Sequence, residues 1–472
     1  MSLLRVDQLS PNDDSVILNV KELVQKGDIP ESLRKITSYA NLQLTNPASA
    51  TEIIYLTQYS SSNPYSGGGF FQAVAGAGTE NYGTICVPNS STTQYWRRIN
   101  ITDITPQMFG AIANGTSNDA TAFNRALAVC VSQGKRLYIP DATYYLATGI
   151  SLSSAVDIVG ASQDKTIIKF SDSVTGFTVA PSTNYVKFKS ITITNVSTSK
   201  ASGYHGIYAN GGTISTGSIG FLEITDCNIL GFDCGFYGVA CQLGIISHST
   251  LWACNRGIYT KLCVNMRYDR CRLQLNSGWG IFADGDSSLV SYSCGTLVDS
   301  CEIVNNGAST GGSVFVQYNE HFTLNNCMID APATGSTQHV VISGTSRGTI
   351  STCWIGASNG IGVSLVSCTC VNIVGCNILA SKTYGVALTG ACNGCTINGN
   401  SLESNGTQDA VVNGTGCLYN IFSGNAFRTT GKSYSLTEGG AYYTCATGNV
   451  FTCATSLNTG GGSVQSGNIS LA

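Results

Sequence analysis

The segment VDSCEI at residues 298–303 is the strongest indication of the fold, because it recurs along the chain at near-constant spacing. It recurs as LNNCMI at 324–329, ISTCWI at 350–355 and IVGCNI at 373–378. Each copy has an apolar residue, two polar residues, Cys or Asn, any residue, and a second apolar residue. We call the fourth position the slot. The slot residues are Cys227, Ser249, Cys271, Cys301, Cys327, Cys353, Cys376, Asn400, Asn425 and Asn449.

Successive slots lie 22 to 30 residues apart. A period in the twenties with strand-like flanks is typical of one turn of a solenoid. Leucine-rich repeats share the period, but their LxxLxL frame is absent. The apolar residues on either side of the slot would point inward from two short strands joined by a tight turn. The sequence therefore predicts an all-β chain folded as a right-handed parallel β-helix.

The slot side chain would fill the corner between the two strands. Stacked Asn amides can hydrogen bond to one another from coil to coil, which satisfies buried polar groups. Stacked Cys side chains fill the same volume as small apolar residues. The chain has 20 cysteines, so a disulfide framework is the alternative. The N-terminus lacks the pattern of a signal peptide, which favours synthesis in a reducing cytoplasm and free thiols.

A second phrase precedes the slot in most coils and consists of a small residue followed by an apolar or aromatic pair. This phrase predicts a third strand in each coil, and hence three parallel sheets. It occurs as Gly-Ile-Tyr at 206–208, Gly-Phe-Tyr at 235–237, Gly-Ile-Tyr at 257–259, Gly-Ile-Phe at 280–282 and Ser-Val-Phe at 313–315.

We predict three regions: a small mixed N-terminal region at 1–105, a β-helix entry at 106–186, and regular coils at 187–472. In the entry, the apolar spacing predicts an amphipathic helix from Asp119 to Gln133, capped by Asn118 or Asp119 and ended by Gly134. A repeat stack needs such a cap to cover its first coil.

Bulk composition excludes several classes of function. Charged residues make up 11% of the chain and the net charge is −3, so no basic surface for nucleic acid is expected. No apolar run approaches the ~20 residues of a membrane span. No residue pattern indicates a cofactor or a metal site.

The entry region resembles the opening of phage tailspikes and other pectate-lyase-like β-helix proteins. Those proteins begin with a phrase like D-F-G-A-x-G-D-G-x-x-D-D-T-x-A, followed by a helix and a strand that ends in Pro. Here Gln107 and Asn114 replace two of the Asp residues. Two N-terminal segments, Gly67–Phe71 and Trp96–Arg98, resemble a GGGxF element and a W-x-R segment of tailspike particle-binding regions. The matching entry residues are Phe109-Gly110-Ala111, Gly115, Asn118 to Phe123, Leu137 to Pro140 and Thr143-Tyr144.

The resemblance implies a homotrimeric tailspike that binds, and usually cleaves, a bacterial surface polysaccharide such as a capsule or O-antigen. It also implies a virion protein that is made in the host cytoplasm and attaches to the phage tail, baseplate or an adaptor through its N-terminal region. The favoured activity is endo-hydrolysis. A polysaccharide lyase of the same fold and a glycan-binding spike without activity remain open.

Strand alternation predicts an outward-facing aromatic ladder on consecutive coils. Such a ladder can stack sugar rings, although burial in a subunit contact or beneath loops is an equally good explanation. Lys261 belongs to the next outward column and is a further candidate for substrate binding. The ladder consists of Tyr208, Tyr237, Tyr259, Phe282 and Phe315.

Three carboxylates are the first choice for catalysis: Asp284, Asp286 and Glu320. Register predicts that they meet at one turn beside the aromatic ladder. Glycoside hydrolysis uses one protonated and one ionised carboxyl group, and crowding can separate their pKa values. The alternatives are solvated turn residues or a calcium-like oxygen cluster.

Asp269, Asp299 and Glu302 form the second choice, on neighbouring coils. Arg270 and Arg272 crowd the same face, which is more typical of a salt-bridged surface. For a lyase, His248, Arg267 and His321 would be the residues to consider as base and cation.

Overall fold

A computed structural model describes most of the chain. The chain divides into two compact units. The first unit comprises residues 33–147 and 156–169, and the second comprises 148–155 and 170–471. The described residues are 33–63, 66–90, 93–197, 200–213, 216–288, 293–308, 311–331, 333–440, 443–452 and 462–471. The predicted domain bounds remain a prediction.

The N-terminal part of the first unit is a small mixed sheet packed on a short helix, Tyr39–Gln43. Its first two strands are parallel and the remaining pairs are antiparallel. The fully buried Trp96 is part of its core. In spatial order, its strands are Lys35–Ile36, Ile53–Leu56, Gly69–Ala75, Gln94–Arg98 and Ile85–Cys86.

The two N-terminal motifs meet through a buried arginine. Arg98 is 4% exposed and donates hydrogen bonds to the carbonyl oxygens of Gly67 at 2.8 Å, Gly68 at 2.6 Å and Gly83 at 3.0 Å. A buried guanidinium needs such acceptors. The glycine turn supplies two of them, so the two motifs form one structural element.

The predicted amphipathic helix is present as Ala120–Gln133, with Asp119 as the N-cap residue and Gly134 in the left-handed conformation after its end. The Asp119 carboxylate bonds backward to the amides of Ile112 and Ala113 instead of capping the helix. Around the helix lie a 3-10 helix at Pro106–Phe109 and the strands Asn114–Asn118, Leu137–Ile139, Ala142–Leu146, Val156–Gly160 and Thr166–Phe170.

The second unit is a parallel β-solenoid whose coils each contribute a strand to sheet A, then sheet B, then sheet C. Sheet A contains Val186–Lys189, Glu223–Thr225, Ile245–Ser247, Arg267–Asp269, Leu297–Asp299, Thr323–Asn325, Thr349–Ser351, Asn372–Val374, Thr396–Asn398, Ile421–Ser423, Cys445–Thr447 and Val464–Ser466. Sheet B contains Thr192–Asn195, Asn228–Leu230, Thr250–Trp252, Arg272–Gln274, Glu302–Val304, Met328–Asp330, Trp354–Gly356, Asn377–Leu379, Ser401–Glu403, Ala426–Phe427, Val450–Phe451 and Ile469–Ser470.

Sheet C carries the aromatic phrase. Its strands are Ile150–Leu152, Phe177–Val179, His205–Asn210, Cys234–Val239, Arg256–Lys261, Ile281–Asp284, Val314–Gln317, Gln338–Ser343, Ile361–Val366, Tyr384–Thr389, Gln408–Asn413 and Leu436–Gly439. A two-stranded piece, Ile219–Gly220 with Cys241–Gln242, lies at the corner that follows sheet C. The prediction of three parallel sheets is confirmed.

The core runs through the middle of the coils, where each sheet contributes an apolar side chain from each strand. In one coil these are Val298, Ile303 and Val314, all fully buried. Burying one such side chain contributes about 1.5–3 kcal/mol. Three inward residues per coil therefore favour the stacking of further coils, because a single coil cannot bury its own apolar side chains.

Each slot residue occupies the corner between a sheet A strand and a sheet B strand, and each is at most 2% exposed. The residue before every slot has a φ between 49° and 64°, which turns the chain sharply. The predicted amide ladder is confirmed: Asn400 donates to Asn425 and Asn425 to Asn449, each at 3.0 Å.

The slot thiols are more than space fillers. Cys301 and Cys327 donate to the carbonyl oxygens two residues earlier, at 3.3 and 3.1 Å. Burial raises the pKa of Cys227 to about 12, so this thiol stays protonated and unreactive at neutral pH. All cysteines that the structure describes are free, in agreement with the expectation of free thiols.

Two further corner ladders were not anticipated. Between sheets B and C, Asn276 donates to Asn306 at 2.9 Å. Between sheets C and A, the amide of Cys241 donates to the sulfur of Cys263 at 3.3 Å. All three corners therefore satisfy their buried backbone groups from the neighbouring coil. Separately, no helix within the described ranges is long and apolar enough to cross a membrane.

Candidate functional site

The aromatic ladder lies on the outer face of sheet C, as predicted. The inward neighbours Ile207, Phe236 and Ile258 are fully buried, whereas the ladder side chains are partly exposed. Strand register places the five rings directly above one another. Consecutive ring centroids, from Tyr208 through Tyr237, Tyr259 and Phe282 to Phe315, lie 5.3, 4.6, 5.2 and 4.6 Å apart.

The column on the C-terminal side of the ladder is polar. Lys261, Asp284 and Gln317 are register partners on three consecutive strands of sheet C. Lys261 is exposed, and Asp284 is partly buried. The structure therefore brings the predicted carboxylate Asp284 beside the ladder and beside the predicted binding residue Lys261.

Asp284 is held by two side chains, one of which belongs to the ladder. The Tyr259 hydroxyl donates to one carboxylate oxygen at 2.7 Å, and the Gln317 amide donates to the other. Burial, followed by the hydrogen bond to Asp284, raises the pKa of the Tyr259 hydroxyl well above its ordinary value. Tyr259 therefore keeps its proton and acts as a hydrogen-bond donor that fixes the position of the carboxylate.

Asp286 lies two residues further on, after Gly285. A Cβ atom at Gly285 would overlap the carbonyl oxygen of Tyr318 on the next coil, so glycine allows this close approach. Asp286 accepts hydrogen bonds from the amide of Ser288 at 2.8 Å and from its hydroxyl at 2.6 Å. These bonds lower the pKa of Asp286, which keeps it ionised.

Glu320 belongs to the next coil and lies at the corner that follows sheet C. Its backbone pairs in parallel with Cys294 and Ser346 on the neighbouring coils. Its carboxylate forms an ion pair with Arg347. No hydrogen bond among the described residues joins Asp284, Asp286 and Glu320, so their convergence at one site stays a prediction.

Two residues on the opposite side of the ladder were not predicted from the sequence. The Arg256 guanidinium lies over the rings of Tyr259 and Phe282, 5.1 and 5.3 Å from their centroids. Trp279 packs on Phe315 with 5.1 Å between ring centroids. Each lies one position before the aromatic phrase of its coil. The residue type at that position varies from coil to coil, so the sequence contains no signal for it.

The second-choice carboxylates lie elsewhere, on sheets A and B. Asp269 and Asp299 are register partners. Asp269 lies 3.8 Å from Arg267 and 3.5 Å from Arg270, and Glu302 pairs with Arg272 at 2.7 Å. Asp299 accepts from Asn325 at 2.7 Å. The alternative of a salt-bridged surface describes this group well.

The residues considered for a lyase are dispersed. His248 contacts Arg270 at 3.1 Å, and Arg267 faces Asp269. His321 is exposed and directly follows Glu320. Their contacts within the described part of the chain do not join these side chains into one acid–base group.

One cluster of potential metal ligands occurs among the described residues: His205, Asp233 and Cys234, whose ligand atoms lie within 4.8 Å of one another. All three are buried, and the Nδ1 atom of His205 has no hydrogen-bond partner. However, burial and then the positive charge of the neighbouring Arg256 guanidinium lower the pKa of His205. A neighbouring guanidinium opposes the binding of a cation.

Comparisons with known proteins agree with this architecture. Residues 35–101 match the phage tail protein small four-stranded β-sheet domain, and residues 283–427 match the right handed β-helix region. Residues 35–101 are thus similar to a phage tail sheet domain, and residues 283–427 are similar to a right-handed parallel β-helix. The predicted resemblance to tailspike β-helix proteins is confirmed, as is the predicted hand of the coils.

A curated relative with a detectable match is the capsule KN4-specific depolymerase of Klebsiella phage KN4-1. It is 30% identical over 135 residues, which are 27% of this chain and 15% of that protein. The chain therefore spans only a small part of this relative's length.

Solved structures share the fold at low identity. Tailspike protein 2 of bacteriophage CBA120 has a TM-score of 0.51 and 16% identity, over 92% of this chain and 60% of that chain. The gp42 tailspike of an Acinetobacter phage has a TM-score of 0.54 and 12% identity, over 93% and 73%. The A-module of a mannuronan C-5 epimerase from Azotobacter vinelandii has a TM-score of 0.51 and 15% identity, over 78% and 100%.

Proposed function

We propose that this chain is a phage tailspike that binds and endo-cleaves a bacterial capsule polysaccharide by hydrolysis. The observation that carries the proposal is the carboxylate of Asp284, fixed by Tyr259 at the edge of a five-ring aromatic ladder. The five partly exposed rings form a continuous surface against which a glycan chain can pack. A fixed carboxylate beside that surface can act on a glycosidic bond.

Asp284 would be one member of the catalytic pair, and Asp286 or Glu320 the other. Asp286 is suited to the role of base, because its hydrogen bonds to Ser288 keep it ionised. Glu320 lies on the adjacent coil, where its pairing with Arg347 sets its orientation. Neighbouring coils can supply the separation of about 5 Å of a retaining pair or the ~6.5–9.5 Å of an inverting pair.

The wider setting of the proposal is a homotrimer in the virion. The match of residues 35–101 to a phage tail domain supports attachment to the tail, baseplate or an adaptor through the N-terminal region. The relative from Klebsiella phage KN4-1 supports a capsule as substrate. No cofactor is part of the proposal.

The test uses purified capsular polysaccharides from a panel of Klebsiella strains that includes type KN4. We expect wild-type protein to release new reducing ends from at least one polymer. Asp284→Asn should lower that rate roughly 100-fold or more, as is usual when an acid–base group is removed. Asp286→Asn and Glu320→Gln identify the second carboxylate of the catalytic pair. The matched control is Glu403→Gln, which replaces an exposed carboxylate on sheet B.

Other outcomes separate the alternatives. Full activity in all three site variants would show that the chosen carboxylates are wrong. Ultraviolet absorbance of an unsaturated uronate in the product would indicate a lyase. Tight binding without any new ends, across the panel, would indicate a receptor-binding spike without activity.

A further inference from the structure

Arg256 has an environment that differs from that of several other arginines on the outer face of the coils. Arg267, Arg270, Arg272 and Arg347 each form an ion pair with a carboxylate. Among the residues that the structure describes, Arg256 has no carboxylate within ion-pair distance. It instead contacts two aromatic rings.

The position of Arg256 is set by strand register. It follows His205 and Cys234 in one column of sheet C, on the N-terminal side of the aromatic ladder. Asp284 lies in the column on the C-terminal side. Tyr259 stands between the two charges, with its ring under the guanidinium and its hydroxyl bonded to Asp284.

The chemistry of a stacked guanidinium determines what it can bind. Contact with aromatic rings restrains the guanidinium, and its N–H groups can still donate to a planar anion. A carboxylate matches that edge with two parallel hydrogen bonds. A sugar that contacts the exposed edges of Tyr259 and Phe282 would bring a carboxylate substituent to the guanidinium and keep it away from Asp284.

Building on the proposed function, we infer that Arg256 determines specificity for a polysaccharide that carries a carboxylate on the sugar bound at Tyr259 and Phe282. The charged sugars of such a polymer would be uronic acids or pyruvate-substituted residues. Neutral polymers would be poor substrates. Arg256 is a binding residue in this scheme, and it does not take part in bond cleavage.

The experiment compares Arg256→Gln with the wild type on two forms of the polymer that the wild type cleaves. One form is native, and in the other the carboxyl groups are chemically reduced to alcohols. On the native polymer, we expect KM to rise roughly 10- to 100-fold in Arg256→Gln, with a smaller change in kcat, from the loss of a charged hydrogen-bonded pair. On the reduced polymer, the variant and the wild type should have equal KM values.

Two further variants control for charge and packing. Arg428→Gln removes an exposed arginine beside sheet B and should leave KM unchanged on both polymers. Arg256→Lys keeps the charge but loses the planar edge, so its KM on the native polymer should be intermediate. Unfolding temperatures of all variants report on folding.

The inference is overturned if Arg256→Gln raises KM equally on native and reduced polymer, or if the cleaved polymer has no carboxylates. In either case the proposed depolymerase function still stands. If the wild type cleaves no polymer, that function fails, and binding of the native and carboxyl-reduced forms of each polysaccharide in the panel is measured instead. Equal binding of the native form by wild type and Arg256→Gln then overturns the inference.

Discussion

His339 is fully buried on sheet C, and both of its ring nitrogens bond to neutral groups. Its Nδ1 atom lies 3.0 Å from the Ser313 hydroxyl, and its Nε2 atom lies 2.7 Å from the carbonyl oxygen of Gly356. Burial lowers the pKa of His339 from 6.5 to about 4. The folded chain therefore holds this imidazole in its neutral form.

We predict that the free energy of unfolding falls between pH 7 and pH 5. In that window the unfolded chain binds a proton at His339 that the folded chain does not, so the stabilisation is complete above pH 6.5 and decreases toward pH 4. The expected contribution is about 2 kcal/mol by pH 5. Denaturant midpoints at the two pH values measure it.

His339→Gln should remove this part of the pH dependence, whereas His321→Gln, at an exposed position, should retain it. An unchanged pH dependence in the His339 variant would falsify the assignment.

For individual residues, the sequence predicted which face a side chain lies on better than which groups it contacts. Strand alternation placed Tyr259 and Asp284 on the same outer face, because side chains alternate along any strand. It could not show that the Tyr259 hydroxyl bonds to Asp284, or that Arg347 pairs with Glu320. Those contacts depend on side-chain rotamers across coils 25 to 27 residues apart.

The corner ladders are the elements that connect one coil to the next. In the Asn ladder, the Asn425 side-chain oxygen accepts from both the backbone amide and the side-chain amide of Asn400, each at 3.0 Å. These groups are at most 2% exposed, so no water can replace a lost acceptor.

We predict that Asn425→Ala lowers the free energy of unfolding by about 2–4 kcal/mol, because it leaves buried donors of Asn400 without a partner. Asn377→Ala, at an exposed position of sheet B, should change it by less than about 0.5 kcal/mol. Denaturant unfolding followed by circular dichroism compares the two. Equal effects would mean that the ladder contributes little.

The sequence revealed one of the three corner ladders, since only the slot has a phrase of constant form around it. The corner with Asn276 and Asn306 also holds Cys254, and the corner with Cys241 and Cys263 also holds Asn319. Mixed residue types and variable loops hide these ladders. Their bonding follows from backbone geometry, which a single sequence does not display.

At the scale of the whole molecule, stability should not depend on disulfides. The described cysteines are free, and many of them are buried at corners. We predict that an excess of dithiothreitol leaves the unfolding temperature unchanged. A clear drop would reveal a structural disulfide, and thiol counting under denaturing conditions provides an independent check.

The proposed trimer gives a second prediction at this scale. We expect sedimentation equilibrium to give a mass three times that of one chain. A chain that sediments as a monomer at micromolar concentration would contradict the trimer, but it would leave the fold and the proposed carbohydrate site unaffected.

Coils of unequal length have a consequence for how such a protein can diversify. Slots are 22 residues apart at Cys227 and Ser249 but 30 apart at Cys271 and Cys301, yet in both places a backbone amide bonds to the next slot side chain. Insertions and deletions between sheets can therefore accumulate without disturbing the interior. In the proposed tailspike, the outer loops can therefore change for a new host while the framework is kept, and lineages with different hosts should differ most in loop length and least at the corners.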